Sequence, residues 1–128
     1  SYRTFAIPCL KRICEAITEV PVTIFAKDAW FATADIAALN CATVGLDWAQ
    51  DPQWARNTVG PDRTLQGNLD PCVLYADAAT IRRETARMLD AFGPQRHIAN
   101  LGHGVYPDTP VDGVRRFIDT VKEHNHRT

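Results

Sequence analysis

The feature that most constrains the fold is the alternation of short apolar runs with helical patterns along the whole chain. Four runs are predicted to be strands, the first of them buried on both faces: residues 20–26, 42–46, Thr64–Leu69 and His97–Leu101. Continuous apolar strands that alternate with helices are typical of a parallel sheet covered by helices. Four such units make half of a (β/α)8 barrel, which takes about 250 residues. The 128 residues are therefore predicted to form an α/β half barrel, as a single partial domain over 1–128.

Helices are predicted before, between and after these strands. Apolar residues recur at helical spacing over residues 5–17 and 33–39, and Asp51-Pro52 opens a short helix. Asp77 is expected to cap a fourth helix and Thr109-Pro110 to open a fifth. The predicted inward positions of these two helices are Ile81, Thr85, Met88, Leu89 and Phe92, then Val111, Val114, Phe117, Ile118 and Val121. The polar tail, residues 123–128, is expected to fray.

Composition narrows the class of protein. The formal net charge is -1, so no basic surface is predicted and nucleic acid is not expected as a partner. The apolar runs are too short to cross a bilayer, and no leader opens the chain, so no membrane partner is expected. The four cysteines form no C-x-x-C pair, which favours reduced thiols in a cytosolic protein. No nucleotide-binding or metal-ligand motif is present, so neither a cofactor nor a metal is expected.

Polar residues follow every predicted strand. Lys27 and Asp28 follow the first, Asp47 the second, and Asn68 and Asp70 come at the end of the third. Because functional groups of such barrels sit at the carboxyl ends of the strands, these residues are predicted to share one rim and form a pocket. Taken singly, Asp47 is interpreted as a buried acid that holds a loop amide. Asn68 and Asp70 fit turn and cap chemistry on their own backbone. Lys27 and Asp28 either pair, are solvated, or belong to the site.

His103 lies between two glycines after the fourth strand. Glycine tolerates backbone conformations that other residues avoid and permits a ligand to approach closely. An imidazole there can serve as acid, base or anion donor near neutral pH. His97, at the start of the same strand, is predicted to be structural, and His124 and His126 to be residues of the tail.

Four motifs carry a resemblance to a known family. They are FAKD (25–28), VGLDW (44–48), TLQGNLDPCVLYA (64–76) and IANLGHGVYPDTP (98–110). In order and spacing they resemble the C-terminal half of uroporphyrinogen decarboxylases, from about residue 5 to 124. The resemblance implies the C-terminal four β/α units of a (β/α)8 TIM barrel in a cytoplasmic or plastid homodimer. It also implies removal of carbon dioxide from the four acetate side chains of uroporphyrinogen, which yields coproporphyrinogen in haem synthesis, without cofactor or metal.

The same resemblance assigns a role to His103, which matches a histidine that lines the substrate cleft. It is a candidate substrate-binding residue and a candidate acid or base. The family's other cleft residues, which are arginines, an aspartate, a tyrosine and a serine, correspond to positions upstream of Ser1, so the chain alone is expected to be inactive. Ala29-Trp30-Phe31 departs from the family pattern, and the sequence leaves open whether the bulky Trp30 side chain narrows the cleft.

Two alternatives stay open. One is a non-catalytic half-barrel paralogue that binds porphyrinogen or dimerises with the complete enzyme. The other is a relative of the corrinoid methyltransferases, which carry a zinc-binding cysteine near the last strands, where this chain has His103. Because a half barrel leaves strand edges and one sheet face open, the isolated chain is expected to dimerise or aggregate.

Overall fold

The computed structural model describes residues 1–126 and shows one four-stranded parallel sheet covered by helices. The strands pair in chain order, β1-β2-β3-β4, as a β/α half barrel requires. They are β1 (Thr23–Phe25), β2 (Thr43–Gly45), β3 (Thr64–Leu69) and β4 (His97–Leu101). The helices are α1 (Tyr2–Ala16), α2 (Thr33–Ala37), α3 (Pro52–Val59), α4 (Ala78–Phe92) and α5 (Val111–Glu123), with 3₁₀ turns at Trp30–Ala32 and Pro71–Tyr75.

The two faces of the sheet differ in burial. In register across the sheet, Ile24, Val44 and Leu65 point toward the helices and are at most 6% exposed. On the opposite face, Phe25 and Ile98 are 45% and 46% exposed. The prediction that the first strand is buried on both faces is therefore wrong. Its second face points toward the barrel axis, where these four strands provide nothing to cover it.

α4 follows its predicted pattern closely. The Asp77 carboxylate accepts a hydrogen bond from the amide of Thr80 at 2.8 Å, which satisfies one free amide of the first turn. All five predicted inward side chains are buried: Ile81, Thr85, Met88, Leu89 and Phe92. Gly93 ends the helix at φ 79°, a conformation that glycine adopts without strain.

The inward positions of α5 are only partly as predicted. Phe117 is buried and Val114 and Val121 pack partly against the core, but Val111 and Ile118 are 64% and 43% exposed. The expectation that these last two point inward is wrong, because α5 packs against α4 and the turn Pro71–Tyr75 on one side only.

The structure shortens the predicted tail by one residue. α5 continues through Glu123, and Nε2 of His124 lies 2.8 Å from a carboxylate oxygen of Asp90 in α4. Residues 124–126 have no regular secondary structure, so fraying of the tail stays a prediction, and its last two residues lie outside the described part.

Two further sequence expectations concern thiols and membranes. Each of the four cysteines is a free thiol, and Cys14 and Cys41 are buried. Burial, together with the neighbouring Cys41, raises the pKa of the Cys14 thiol. Among residues 1–126, no helix has the length and apolar character needed to cross a bilayer.

Candidate functional site

A cleft opens at the carboxyl ends of the strands, where the sequence predicts a pocket. It has a volume of about 420 Å³. Its wall is apolar apart from a few polar groups that converge from β3, β4 and the loop after β4. The lining residues are Phe25, Leu46, Gln66, Asn100, Leu101, His103, Gly104 and Val105. Apolar walls with few converging polar groups are typical of small-molecule sites.

His103 is the titratable side chain of this lining, and its ring is held by local contacts. Nδ1 lies 2.8 Å from the carbonyl oxygen of Gly104, and the Tyr106 ring packs edge-on at 5.5 Å. A carbonyl can only accept, so Nδ1 carries the proton and donates. Nε2 therefore remains available to a ligand, as an acceptor when the ring is neutral and as a donor when it is charged.

The two glycines beside His103 differ in their surroundings. Neither Gly102 nor Gly104 is among the glycines with positive φ in residues 1–126, so neither uses the conformational freedom that glycine allows. A Cβ on Gly102 would lie 2.3 Å from the amide nitrogen of Trp48, whereas a Cβ on Gly104 would meet nothing within 4 Å. Gly102 thus lets the end of β4 pack on the loop after β2, and Gly104 leaves open space next to the imidazole.

Asp47 lies buried beneath the rim and holds two backbone amides of the rim loops. It is 2% exposed, and its two carboxylate oxygens accept from the amides of Asp28 at 2.6 Å and Ala49 at 3.1 Å. The interpretation of Asp47 as a buried acid that holds a loop amide is confirmed. This contact holds Asp28 in the left-handed region, at φ 59°.

Asn68 joins the same support. Its buried amide nitrogen donates to the carbonyl oxygens of Asp47 at 2.8 Å and Gln50 at 2.7 Å. The expectation that Asn68 bonds its own backbone is therefore wrong, because its partners lie in the loop after β2. Asp70 does bond locally, as predicted, and accepts from the amide of Cys72 at 2.9 Å.

Other predicted rim residues lie outside the cleft. Lys27 and Asp28 are both exposed, and their side chains do not pair with each other. Neither lines the cleft. Trp30 lies beside Trp54 in a separate depression next to Gln50, so its side chain does not line the cleft.

His97 occupies the opposite end of β4. Its ring stacks on Phe92 with centroids 4.0 Å apart, and Nε2 lies 2.6 Å from the carbonyl oxygen of Gly67. Burial lowers the pKa of His97, which favours the neutral ring. These contacts fit the structural role predicted for it.

Sequence reasoning missed Asn100. It stands opposite Asn68 in the pairing of β3 with β4, and its side chain is exposed at the cleft. The available signal was the two-residue period of a strand, which puts Asn100 on the same face of β4 as Ile98; the structure shows that face exposed.

The fold and site together define a β/α-barrel protein with a cleft at the carboxyl ends of its strands. The profile of the family described as uroporphyrinogen decarboxylase (URO-D) matches residues 1–124. The chain is 45% identical to the mouse uroporphyrinogen decarboxylase, over 97% of this chain and 36% of that protein. It is also 45% identical to the enzyme of Salinibacter ruber, over 98% of this chain and 36% of the relative. The chain belongs to the uroporphyrinogen decarboxylase family.

The chain thus spans about a third of the length of these relatives and corresponds to their C-terminal part. A methyltransferase from Methanosarcina mazei has the same fold, with a TM-score of 0.80 over 95% of this chain and 36% of that one. At 17% sequence identity, that likeness concerns the fold alone.

Proposed function

We propose that the protein is a uroporphyrinogen decarboxylase, a carboxy-lyase of haem biosynthesis, whose C-terminal part is this chain. The observation that supports the proposal is His103, which lines the cleft and whose Nδ1 contacts Gly104, so that Nε2 is left available to a ligand. Family membership supports the reaction, and the cleft supports the position of the substrate.

The chemistry asks two things of the site. Each decarboxylation breaks the bond between the acetate methylene and its carboxylate, releases carbon dioxide and leaves an electron pair on the methylene carbon. A proton delivered to that carbon completes the methyl group. A protonated His103 can donate from Nε2, either to a substrate carboxylate that it holds or to the carbon being protonated.

The cleft of this chain does not supply enough positive charge for such a substrate. Of its lining in residues 1–126, His103 is the one ionisable side chain, and neither Lys nor Arg is present. Uroporphyrinogen carries several carboxylates, and preorganised charge usually contributes more to catalysis than any other single effect. The proposal therefore includes cationic groups from the part of the barrel outside this chain, so that the chain alone is inactive.

The proposal extends to the rest of the barrel, to the oligomeric state and to the cellular compartment. The open sheet face around Phe25 and Ile98 is expected to be covered by the remaining strands of a complete barrel. We expect that barrel to form a homodimer and to act in the cytoplasm, or in a plastid if a transit peptide precedes the chain.

The test is anaerobic turnover of uroporphyrinogen by the protein at its full natural length, with products separated by their number of carboxyl groups. His103→Asn is expected to lower turnover by about 100-fold or more. Lys122→Asn, which removes a cation from the exposed side of α5, is the control and should leave turnover unchanged. Unchanged turnover in His103→Asn would refute the assigned role. Binding of porphyrinogen without turnover by the unmodified protein would instead indicate the non-catalytic paralogue.

A further inference from the structure

Three potential metal ligands meet at the end of the barrel opposite the cleft. Asp90 lies in the last turns of α4, His124 ends α5, and His126 follows two residues later. One ligand atom from each lies within 4.8 Å of the other two. Nε2 of His124 is 2.8 Å from Asp90, and the rings of His124 and His126 stand nearly perpendicular with centroids 4.8 Å apart.

His126 supplies the observation that distinguishes this cluster from a simple ion pair. Its Nδ1 is buried and has no hydrogen-bond partner among residues 1–126. Buried polar atoms nearly always have a hydrogen-bond partner or a bound ion. We therefore expect Nδ1 of His126 to have a partner other than the side chains and backbone of residues 1–126. A bond between protonated His124 and Asp90 would account for those two residues but not for the nitrogen of His126.

The chemistry of the three ligands favours a divalent transition metal. Two imidazoles and one carboxylate suit Zn²⁺, with bonds of about 2.0–2.2 Å. Around a tetrahedral ion, such ligand atoms lie about 3.4 Å apart. The cluster therefore needs only side-chain rotations to close on an ion, which would replace the contact between His124 and Asp90.

The position of the cluster also favours a cation. Asp90 and His124 both lie at the C-terminal ends of helices, where the partial negative charge of the last carbonyl groups attracts positive charge. A bound ion would connect the end of α4 to the end of α5 and hold residues 124–126 in place.

We propose that Asp90, His124 and His126 bind a divalent transition-metal ion of the Zn²⁺ class, with water at the fourth position. The site is separate from the cleft and does not depend on the proposed decarboxylase activity. The sequence predicts no metal, because His124 and His126 form only a short pair and Asp90 lies 34 residues from His124.

The experiment is equilibrium dialysis of the full-length protein against Zn²⁺ in a buffer that does not chelate metals. Cys9→Ser and Cys72→Ser are present throughout, since these exposed thiols would otherwise compete for the ion. We expect one Zn²⁺ whose affinity falls at least about tenfold in Asp90→Asn and in His126→Asn. Asp119→Asn, an exposed carboxylate of α5, is the matched control and should bind as the parent does.

A second readout separates metal binding from folding. Co²⁺ in place of Zn²⁺ should give visible absorption bands that His103→Asn leaves unchanged and Asp90→Asn removes. Asp90 is exposed, so its replacement does not endanger folding, which circular dichroism would verify. Equal Zn²⁺ affinity in the parent and both ligand variants would overturn the proposal. Loss of binding in His103→Asn alone would do so too, because it would place the ion in the cleft.

Discussion

The two ends of β4 carry the same residue type in opposite circumstances. His97 is the first residue of β4, at the end away from the cleft. Its ring is stacked on Phe92, and one ring nitrogen is bonded to Gly67. His103, beyond the cleft end, has one nitrogen bonded to its neighbour Gly104 and the other open to the cleft. The contrast shows that contacts and burial, rather than residue type, decide whether a histidine in this chain supports the fold or faces the cleft.

The largest effect is expected at the glycine that positions His103. Gly102→Ala would place a methyl group against the backbone of Trp48, which cannot move aside as a side chain can. We expect a loss of about 3 kcal/mol in the free energy of unfolding, measured by urea denaturation. Gly104→Ala, which meets open space, should cost under about 0.5 kcal/mol. Equal losses in both variants would mean that β4 does not pack on the loop after β2 as described.

Next in size is the loss of the network beneath the rim. Asn68→Ala removes the donor to the carbonyl groups of Asp47 and Gln50, which stay buried without a partner. We expect a loss of about 2 kcal/mol in the free energy of unfolding. Asn57→Ala, the same substitution on the exposed side of α3, is the control and should be close to neutral. A neutral Asn68→Ala would show that water replaces the lost donor.

A smaller effect, which depends on pH, is expected at His97. Its pKa in the folded protein lies below the unfolded value of about 6.5, because burial disfavours the charged ring. The unfolded chain therefore binds the proton more readily. The contribution of neutral His97 to stability is complete above about pH 6.5 and is lost as the pH falls toward the lowered pKa.

His97→Gln checks this sign. The variant should lose the part of the pH dependence that lies just below about pH 6.5, and should be less stable than the parent above it, since stacking on Phe92 is lost. Thermal unfolding of both proteins across that range measures the difference. A parent that gains stability as the pH falls through this range would contradict a lowered pKa.

The smallest effect on folding is expected on the open face of the sheet. Phe25→Lys and Ile98→Lys replace apolar side chains that are 45% and 46% exposed, so they should change its stability less than the preceding variants do. They should, however, reduce association of the isolated 128 residues, which light scattering would detect. Association that persists in the double variant would point to the strand edges rather than this face as its cause.

Local patterns predicted much of this fold. The bounds of β3 and β4, the Asp77 cap and the buried positions of α4 follow from residues close in sequence. The place of His103 at the cleft follows from its position after a parallel strand. The same patterns could not show which sheet face is covered, since a continuous apolar run looks the same whether one face of the strand or both have a neighbour.

The features that sequence missed depend on contacts between distant segments. Asn68 bonds a loop about 20 residues away, Trp30 lies with Trp54 in a depression outside the cleft, and Asp90 of α4 contacts His124 at the end of α5. Each of these depends on how one element is rotated against the next. A periodic pattern gives the inward face of an element but not this relative rotation.

The histidines at the two ends of β4, His97 and His103, are expected to differ in their access to substrate. The most direct test is NMR of the ¹⁵N-labelled imidazoles in the full-length protein, titrated with uroporphyrinogen under anaerobic conditions. We expect the ¹⁵N chemical shifts of the His103 ring to change on binding and those of the His97 ring to stay the same. A shift at His97 with none at His103 would contradict it and move the site to the other end of the barrel.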